Sequence, residues 1–160
     1  MVLVLMSIIG LGTIGSIAKV VEKCALKRLK NELPLFLDNI AYKAMQEGKE
    51  YLLKFDFENY RISCGALRYN LPKCYNYFRK EGRDGRVRKF EITVKSNGNI
   101  DDMFLIFVVD KYNKEALYRI GMYNTSVLRY LRIRRFYPKI KPILLSDSGY
   151  YEIEKWMEEK

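Results

Sequence analysis

The sequence contains no histidine, and this absence excludes several classes of enzyme and metal site. Serine–histidine and cysteine–histidine nucleophilic pairs, histidine-ligated zinc and histidine general bases all need the missing side chain. Cysteine is scarce as well, because Cys24, Cys64 and Cys74 are widely separated and have no C-x-x-C spacing. We expect buried free thiols in a reducing compartment. The alternative is a Cys64–Cys74 disulfide, which would require the domain to lie outside the cytoplasm.

Charge is absent from Met1 to Ala18, which is the longest apolar run of the chain. A helix of this length spans about 27 Å, and including Val20 and Val21 while Lys19 reaches the interface brings it to about 32 Å. A bilayer core is roughly 30 Å thick. The sequence therefore predicts a transmembrane and juxtamembrane helix over residues 1–30 and a basic α+β domain over residues 31–160.

The charges beside this run predict its orientation. No Lys or Arg precedes it, whereas five follow within a dozen residues: Lys19, Lys23, Lys27, Arg28 and Lys30. Positive flanks stay in the cytoplasm, so we expect a single-pass protein with its domain on the cytoplasmic side. Gly12 and Ser16 lie one helical turn apart and would let two such helices pack closely, which makes a homo-oligomer a further expectation.

A second interpretation of the same stretch comes from its glycines. Gly10, Gly12 and Gly15 have the spacing G-x-G-x-x-G, after a potential strand at Val2–Ile9 and ahead of a second one that ends at Asp38. In this quarter of the chain the sequence resembles the opening of NAD(P)-binding dehydrogenases. The resemblance implies a small nucleotide-binding protein in which these glycines hold a pyrophosphate and Asp38 binds the ribose.

A third interpretation concerns the whole outline of the chain. It is similar to type IV pilins, in which an apolar N-terminal helix runs into an amphipathic one and an antiparallel sheet with a late cysteine pair follows. The processing signal departs from the pilin pattern, because the residues before Gly10 are uncharged and the fifth residue after it is Gly15 rather than Glu. This resemblance implies a filament subunit.

Beyond the apolar run, we predict a break or kink at Pro34 and a second helix over Leu35–Glu47 that stops at Gly48. Residues 127–136 fit a strand or a helix, with the strand favoured, and Ser146 to Ser148 are predicted to cap a final helix over residues 150–159. The predicted fold class is thus α+β, with an antiparallel meander and two packed helices. Strands are predicted over residues 51–57, 60–67 with a bulge at Gly65, 87–95, 103–109 and 115–123, and residues 70–85 are predicted to be irregular.

The net charge is +10, and the positive charge is concentrated in residues 59–142, which contain 19 Lys and Arg against 7 Asp and Glu. Such a surplus attracts anionic lipid, an acidic protein or nucleic acid. No pattern of catalytic or metal-binding residues stands out, and no cofactor is indicated except in the dehydrogenase interpretation. We therefore expect a binding or structural role. The predicted anion-contacting residues are Lys27, Arg28, Lys30, Arg129, Arg132, Arg134 and Arg135.

Overall fold

The computed structural model describes residues 2–81, 85–124, 131–140, 142–147 and 149–159, and for residues 2–16 it describes the helical backbone alone. The predicted α+β class with antiparallel strands is confirmed. One long helix, α1, runs from Val2 to Glu47. The strands are β1 (Tyr51–Asp56), β2 (Arg61–Cys64), β3 (Leu67–Asn70), β4 (Asn76–Glu81), β5 (Gly85–Val87), β6 (Lys89–Val94), β7 (Phe104–Val109), β8 (Glu115–Asn124), β9 (Leu131–Pro138), β10 (Ile143–Leu144) and β11 (Trp156–Glu158).

The C-terminal half of α1 forms the centre of the main core. Its apolar residues recur every three or four positions, so they share one face of the helix. Residues 17–24 are exposed, and burial begins with Ala25 and Leu26, ahead of the boundary predicted at residue 31. The fully buried residues of this face are Leu29, Leu33, Leu37, Ile40, Ala41 and Ala44.

Pro34 was predicted to break or kink the helix, and a break does not form, because α1 continues through this proline. Pro34 has no N–H to donate to the carbonyl of Lys30, which normally costs a helix about 3 kcal/mol. Leu33 and Leu37 on either side are buried in the core. Packing of these two leucines keeps the helix continuous on both sides of Pro34. The predicted second helix is therefore the C-terminal part of α1. The stop predicted at Gly48 is confirmed, with a φ of +62°.

The strands form antiparallel, meander-like sheets, but there are two sheets and not one. Sheet 1 has the order β3-β2-β1-β6, and sheet 2 has the order β11-β9-β8-β7-β4-β5 with β10 beside β8. The turn predicted at 96–99 forms around Gly98, whose φ is +79°. The chain folds back across this turn in a short antiparallel bridge between Val94 and Ile100, but β6 and β7 do not pair further, because β6 belongs to sheet 1 and β7 to sheet 2. The chain therefore crosses between the sheets at this turn.

Several strands lie where the sequence predicts them. β1, β7 and β8 match the predicted segments within a few residues, and β9 confirms the strand favoured for the second half of 127–136. Residues 125–130 lie outside the described part of the chain. Two expectations are wrong: β4 replaces part of the irregular segment, and Gly65 lies in the turn between β2 and β3 with a φ of +57° instead of forming a bulge.

Sheet 2 has a core on each face, and β7 contributes to both. Phe104, Ile106 and Val108 face α1 and sheet 1, whereas Phe107 and Val109 belong to an outer core. This alternation is the two-residue period of a strand buried on both sides. The outer core is closed by the segment that follows β9, through residues that include Ile143, Leu145, Tyr150 and Trp156.

The final helix predicted over 150–159 is wrong. The chain instead forms a 3₁₀ turn at Ile153–Lys155 and then β11, which pairs antiparallel with β9. Trp156 is buried in the outer core and its indole N–H donates to the carbonyl of Tyr150 at 2.9 Å. Backbone pairing with the edge of sheet 2 and burial of Trp156 together outweigh the helical spacing of the apolar residues.

Within the range whose side chains are described, no helix is both long and apolar enough to cross a membrane. Most of the predicted transmembrane run, residues 1–16, lies outside that range.

Replacing Leu33 by Ala should lower the free energy of unfolding by about 2–5 kcal/mol, because the change leaves a cavity in the packed face of α1. The matched control is Leu35→Ala in the same helix, where the leucine is 62% exposed and the loss should stay below about 0.5 kcal/mol. Urea unfolding of the two variants measures both values. Equal losses would contradict the assigned buried face.

Candidate functional site

The residues predicted to contact anions lie on two elements that pack together. Lys27, Arg28 and Lys30 are on α1, and Arg132, Arg134 and Arg135 are on β9. Arg129 lies outside the described residues. The fold therefore brings the two groups of the predicted set to one side of the domain, but acidic residues of the C-terminal strand region lie between them.

Glu159 joins α1 to sheet 2. Its carboxylate accepts hydrogen bonds from Lys30 Nζ at 3.3 Å and from the Tyr118 hydroxyl at 2.6 Å, and Arg135 Nε lies 3.9 Å away. Lys30 Nζ also lies 4.2 Å from the centre of the Tyr118 ring. The backbone N–H of Glu159 donates to the carbonyl of Arg135 at 2.8 Å. These contacts fasten the helix to the end of the chain.

The surroundings of Glu159 change two pKa values. Burial acts to raise the pKa of this carboxyl, but the hydrogen bond from Tyr118 and the positive charge of Lys30 and Arg135 outweigh it, so the pKa is lowered. Burial and the hydrogen bond to Glu159 raise the pKa of Tyr118. The carboxylate is therefore held ionised, and its charge offsets two of the predicted anion-contacting residues.

Other members of the predicted set also have acidic partners. Arg134 Nε lies 3.3 Å from Glu158, and Arg28 Nε lies 2.8 Å from Glu32 one helical turn away. Within the described ranges, the members that form no ion pair are Lys27 and Arg132, both exposed. The surface between α1 and β9 is thus a largely neutralised junction.

The outer face of sheet 2 holds a buried basic side chain, Arg119, which sequence reasoning did not single out. Arg119 is only 2% exposed, and its guanidinium lies 4.3 Å from the Phe136 ring centre and 5.2 Å from that of Trp156. Its Nη1 donates to the carbonyl of Tyr151 at 3.1 Å. Burial lowers its pKa, although an arginine stays charged at neutral pH. This arrangement holds the C-terminal segment on the sheet.

Three loops converge at the end of the domain where α1 leaves it. The Tyr75 hydroxyl donates to the carbonyl of Glu22 on α1 at 2.6 Å, and Asn76 Nδ2 donates to the carbonyl of Lys111 at 2.9 Å. The Tyr60 hydroxyl donates to Asn76 Oδ1 at 3.3 Å. Turns that are far apart in the sequence therefore meet beside Glu22. A pattern along the chain cannot reveal this grouping.

A cleft of about 550 Å³ lies among these loops. Two of its lining side chains, Arg61 and Lys73, are basic, and the other four are uncharged. Tyr60, which lines the cleft, has a φ of +54°, an unusual backbone conformation for a residue other than glycine. The lining residues are Asn59, Tyr60, Arg61, Asn70, Leu71 and Lys73.

The geometry needed by the dehydrogenase interpretation is not formed. Gly10, Gly12 and Gly15 lie within α1, so no strand precedes them and no tight turn forms at them. Asp38 also lies in α1, where a second strand was required. A pyrophosphate site requires a strand, a glycine turn and a helix in that order, and here the whole segment is helical. The interpretation is therefore wrong at the level of the fold.

The chain matches no protein-family model, no curated protein and no solved structure.

The thiols and acids of the described residues add no reactive centre. Cys24, Cys64 and Cys74 are free, so the Cys64–Cys74 disulfide is absent. Burial raises the pKa of both Cys64 and Cys74, which keeps these thiols protonated. Over the same part of the chain, no group of three or more Cys, Asp or Glu is placed to hold a metal ion.

Glu159→Gln should lower the free energy of unfolding at pH 7 by roughly 1–2 kcal/mol, because the charge-assisted contacts to Lys30 and Tyr118 are lost at a partly solvated site. The lowered pKa of Glu159 makes its contribution fully present above the unfolded value of about 4.3, and the contribution disappears as the pH falls through the folded pKa. Urea unfolding from pH 7 to pH 3 should therefore show a shallower loss for the variant. The control is Glu154→Gln at an exposed position, and a pH profile equal to that of the wild type for both variants would rule out this role of Glu159.

Proposed function

We propose that this protein is a single-pass membrane protein of binding or structural role, anchored by its N-terminal helix and carrying a basic α+β domain. The observation behind the proposal is the contrast within α1. Ile17 is 63% exposed and Val20 and Val21 are each 59% exposed, whereas the apolar face from Leu29 onward is buried. The domain leaves the helix uncovered just where the uncharged run of the sequence ends.

An apolar helix that its own domain does not cover needs another apolar environment. The uncharged run is long enough for a bilayer core, and α1 connects it to the domain without a break. Lys19, Lys23 and Lys27 follow the run, so the proposed orientation has the domain at the cytoplasmic face. The proposed partner of the domain is an anionic surface, consistent with the net charge of +10.

A filament subunit is a second candidate, and the same helix favours it. The C-terminal part of α1 packs on antiparallel sheets, whereas residues 17–24 of the same helix are exposed. This is the outline that the resemblance to pilins implies. In a filament, the exposed helices of neighbouring copies would cover one another. Electron microscopy of the full chain after detergent removal separates the candidates, since an anchored protein needs lipid and a filament subunit forms ordered fibres without it.

The full chain should float with lipid vesicles and resist extraction by carbonate and high salt. The double variant Ile8→Arg/Ile14→Arg should lose both properties, because each arginine costs roughly 2.5–3.5 kcal/mol near the centre of a spanning helix. The control, Leu35→Arg/Met45→Arg, adds the same charge at two exposed positions of the same helix within the domain and should still float. A wild-type chain that stays in solution without detergent would refute the anchor.

Cys24 offers a native probe of orientation, since it is exposed and lies on the domain side of the apolar run. A membrane-impermeant maleimide should not label it in intact cells and should label it after permeabilisation. Cys24→Ser identifies the signal that belongs to this thiol, because Cys64 is buried and Cys74 is partly covered. Labelling of Cys24 in intact cells would place the domain outside.

A further inference from the structure

We infer that the loops surrounding the exit of α1, rather than the predicted arginines of β9, form the surface that contacts anionic phospholipid headgroups. We call Lys73, Lys111, Tyr112 and Lys114 the loop rim. This inference rests on the proposed membrane anchor and identifies which face of the domain meets the bilayer.

Hydrogen bonds hold the loop rim at a fixed position along the axis of α1. The hydrogen bond from Tyr75 to the carbonyl of Glu22 attaches the loop that carries Lys73, and the bond from Asn76 to the carbonyl of Lys111 attaches the next turn. Glu22 follows Ala18 by four residues, which is about 6 Å along the helix axis. Headgroup layers occupy roughly 5–8 Å on each side of the bilayer core. An anchor that ends near Ala18 therefore places the loop rim at headgroup depth.

The side chains of the loop rim suit that position. All four residues are exposed, and within the described ranges none of the three lysines forms an ion pair. Tyr112 is 78% exposed between Lys111 and Lys114. Tyrosine is enriched at membrane interfaces because one end of its ring is apolar and the other polar, and lysines near an anionic leaflet are attracted to it. The cleft lined by Arg61 and Lys73 opens among the same loops, and Arg61 adds a fourth basic side chain to the three lysines.

Within the described ranges, the acids nearest to the loop rim, which include Glu22, Asp110 and Glu115, form no ion pair with its lysines. The Asp110 carboxylate accepts hydrogen bonds from the backbone N–H groups of Tyr112, Lys114 and Glu115 at 3.1, 2.6 and 2.7 Å, so it holds the turn in shape and leaves the lysines pointing into solvent. Glu58, on the turn beside the cleft, pairs with Lys89.

The same end of sheet 2 also carries charges of both signs at a second cleft, which is lined by Lys139 and Lys155 together with Asp147, Glu152 and Glu154. Opposite charges at that cleft offset one another. The loop rim is the part of this end that Tyr75 and Asn76 attach to α1, so an anchor would bring the rim close to the membrane.

The test uses the wild-type full chain in nanodiscs of phosphatidylcholine alone or with phosphatidylglycerol, neither of which has a primary amine. Acylation by an N-hydroxysuccinimide ester, read by mass spectrometry, should be at least threefold slower at Lys73, Lys111 and Lys114 in the anionic discs. Lys49 and Lys95 lie at the opposite end of the domain and serve as internal controls whose rates should change little. Salt at 1 M should remove the difference, because the Debye length falls from about 10 Å at 0.1 M to about 3 Å.

A charge-matched pair of variants gives an independent measurement. Trp156 is the only tryptophan, so its energy transfer to dansyl-labelled headgroups reports how closely the domain lies on the disc. Transfer should be higher in anionic than in neutral discs for the wild type and for Lys49→Gln/Lys95→Gln/Arg132→Gln. The difference should vanish in Lys73→Gln/Lys111→Gln/Lys114→Gln.

The outcomes separate this inference from the proposed function. A chain that does not enter nanodiscs refutes the anchor itself. A chain that enters both discs with equal acylation at all five lysines refutes the loop rim and leaves the anchor intact. If a single-stranded oligonucleotide added to neutral discs protects the three lysines as strongly as phosphatidylglycerol does, the rim binds nucleic acid and the assignment to lipid is overturned.

Discussion

Packing of the C-terminal half of α1 against both sheets is the contact on which the rest of the structure depends. Over the described part of the chain, no strand ladder joins sheet 1 to sheet 2, and the turn after β6 carries the chain between them. Leu29, Leu33 and Leu37 insert between the two layers and give them a shared core. The energy of this contact also explains why α1 tolerates Pro34, since several buried leucines outweigh one missing hydrogen bond.

The same helix links two chemically different environments. Around Lys30, charges of both signs face one another across a partly dry junction, where Glu159 and Tyr118 satisfy the cation. Around Glu22, the domain contributes the Tyr75 hydroxyl, which donates to the Glu22 carbonyl, and exposed lysines with no such partners among the described residues. The basic surplus of the sequence is therefore divided by the fold into a portion that stabilises the domain and a portion that remains available to a partner.

Sequence patterns predict the parts of this fold that depend on local alternation. β1 shows it clearly, because Leu53 and Phe55 are buried and Leu52 and Lys54 are exposed, whereas β7 was predictable from its uninterrupted apolar run, which is buried on both faces. Four features were not predictable in this way. The continuity at Pro34 and the strand at Trp156–Glu158 come from tertiary packing that outweighs local preference. The ion pair between Arg134 and Glu158 exists because β11 lies beside β9, and the grouping of Lys73 with Lys111 exists because two turns meet at Asn76. Both depend on which strands are neighbours, and this does not follow from the spacing of residues along the chain.

The contact between Lys30 and Glu159 has a consequence for the order in which the protein is made. The two residues are 129 positions apart. At roughly 5–20 residues per second, a ribosome completes Glu159 about 6–26 s after Lys30. During that time Lys30 has no Glu159 carboxylate to pair with. This contact can therefore close only after every strand of both sheets has been made.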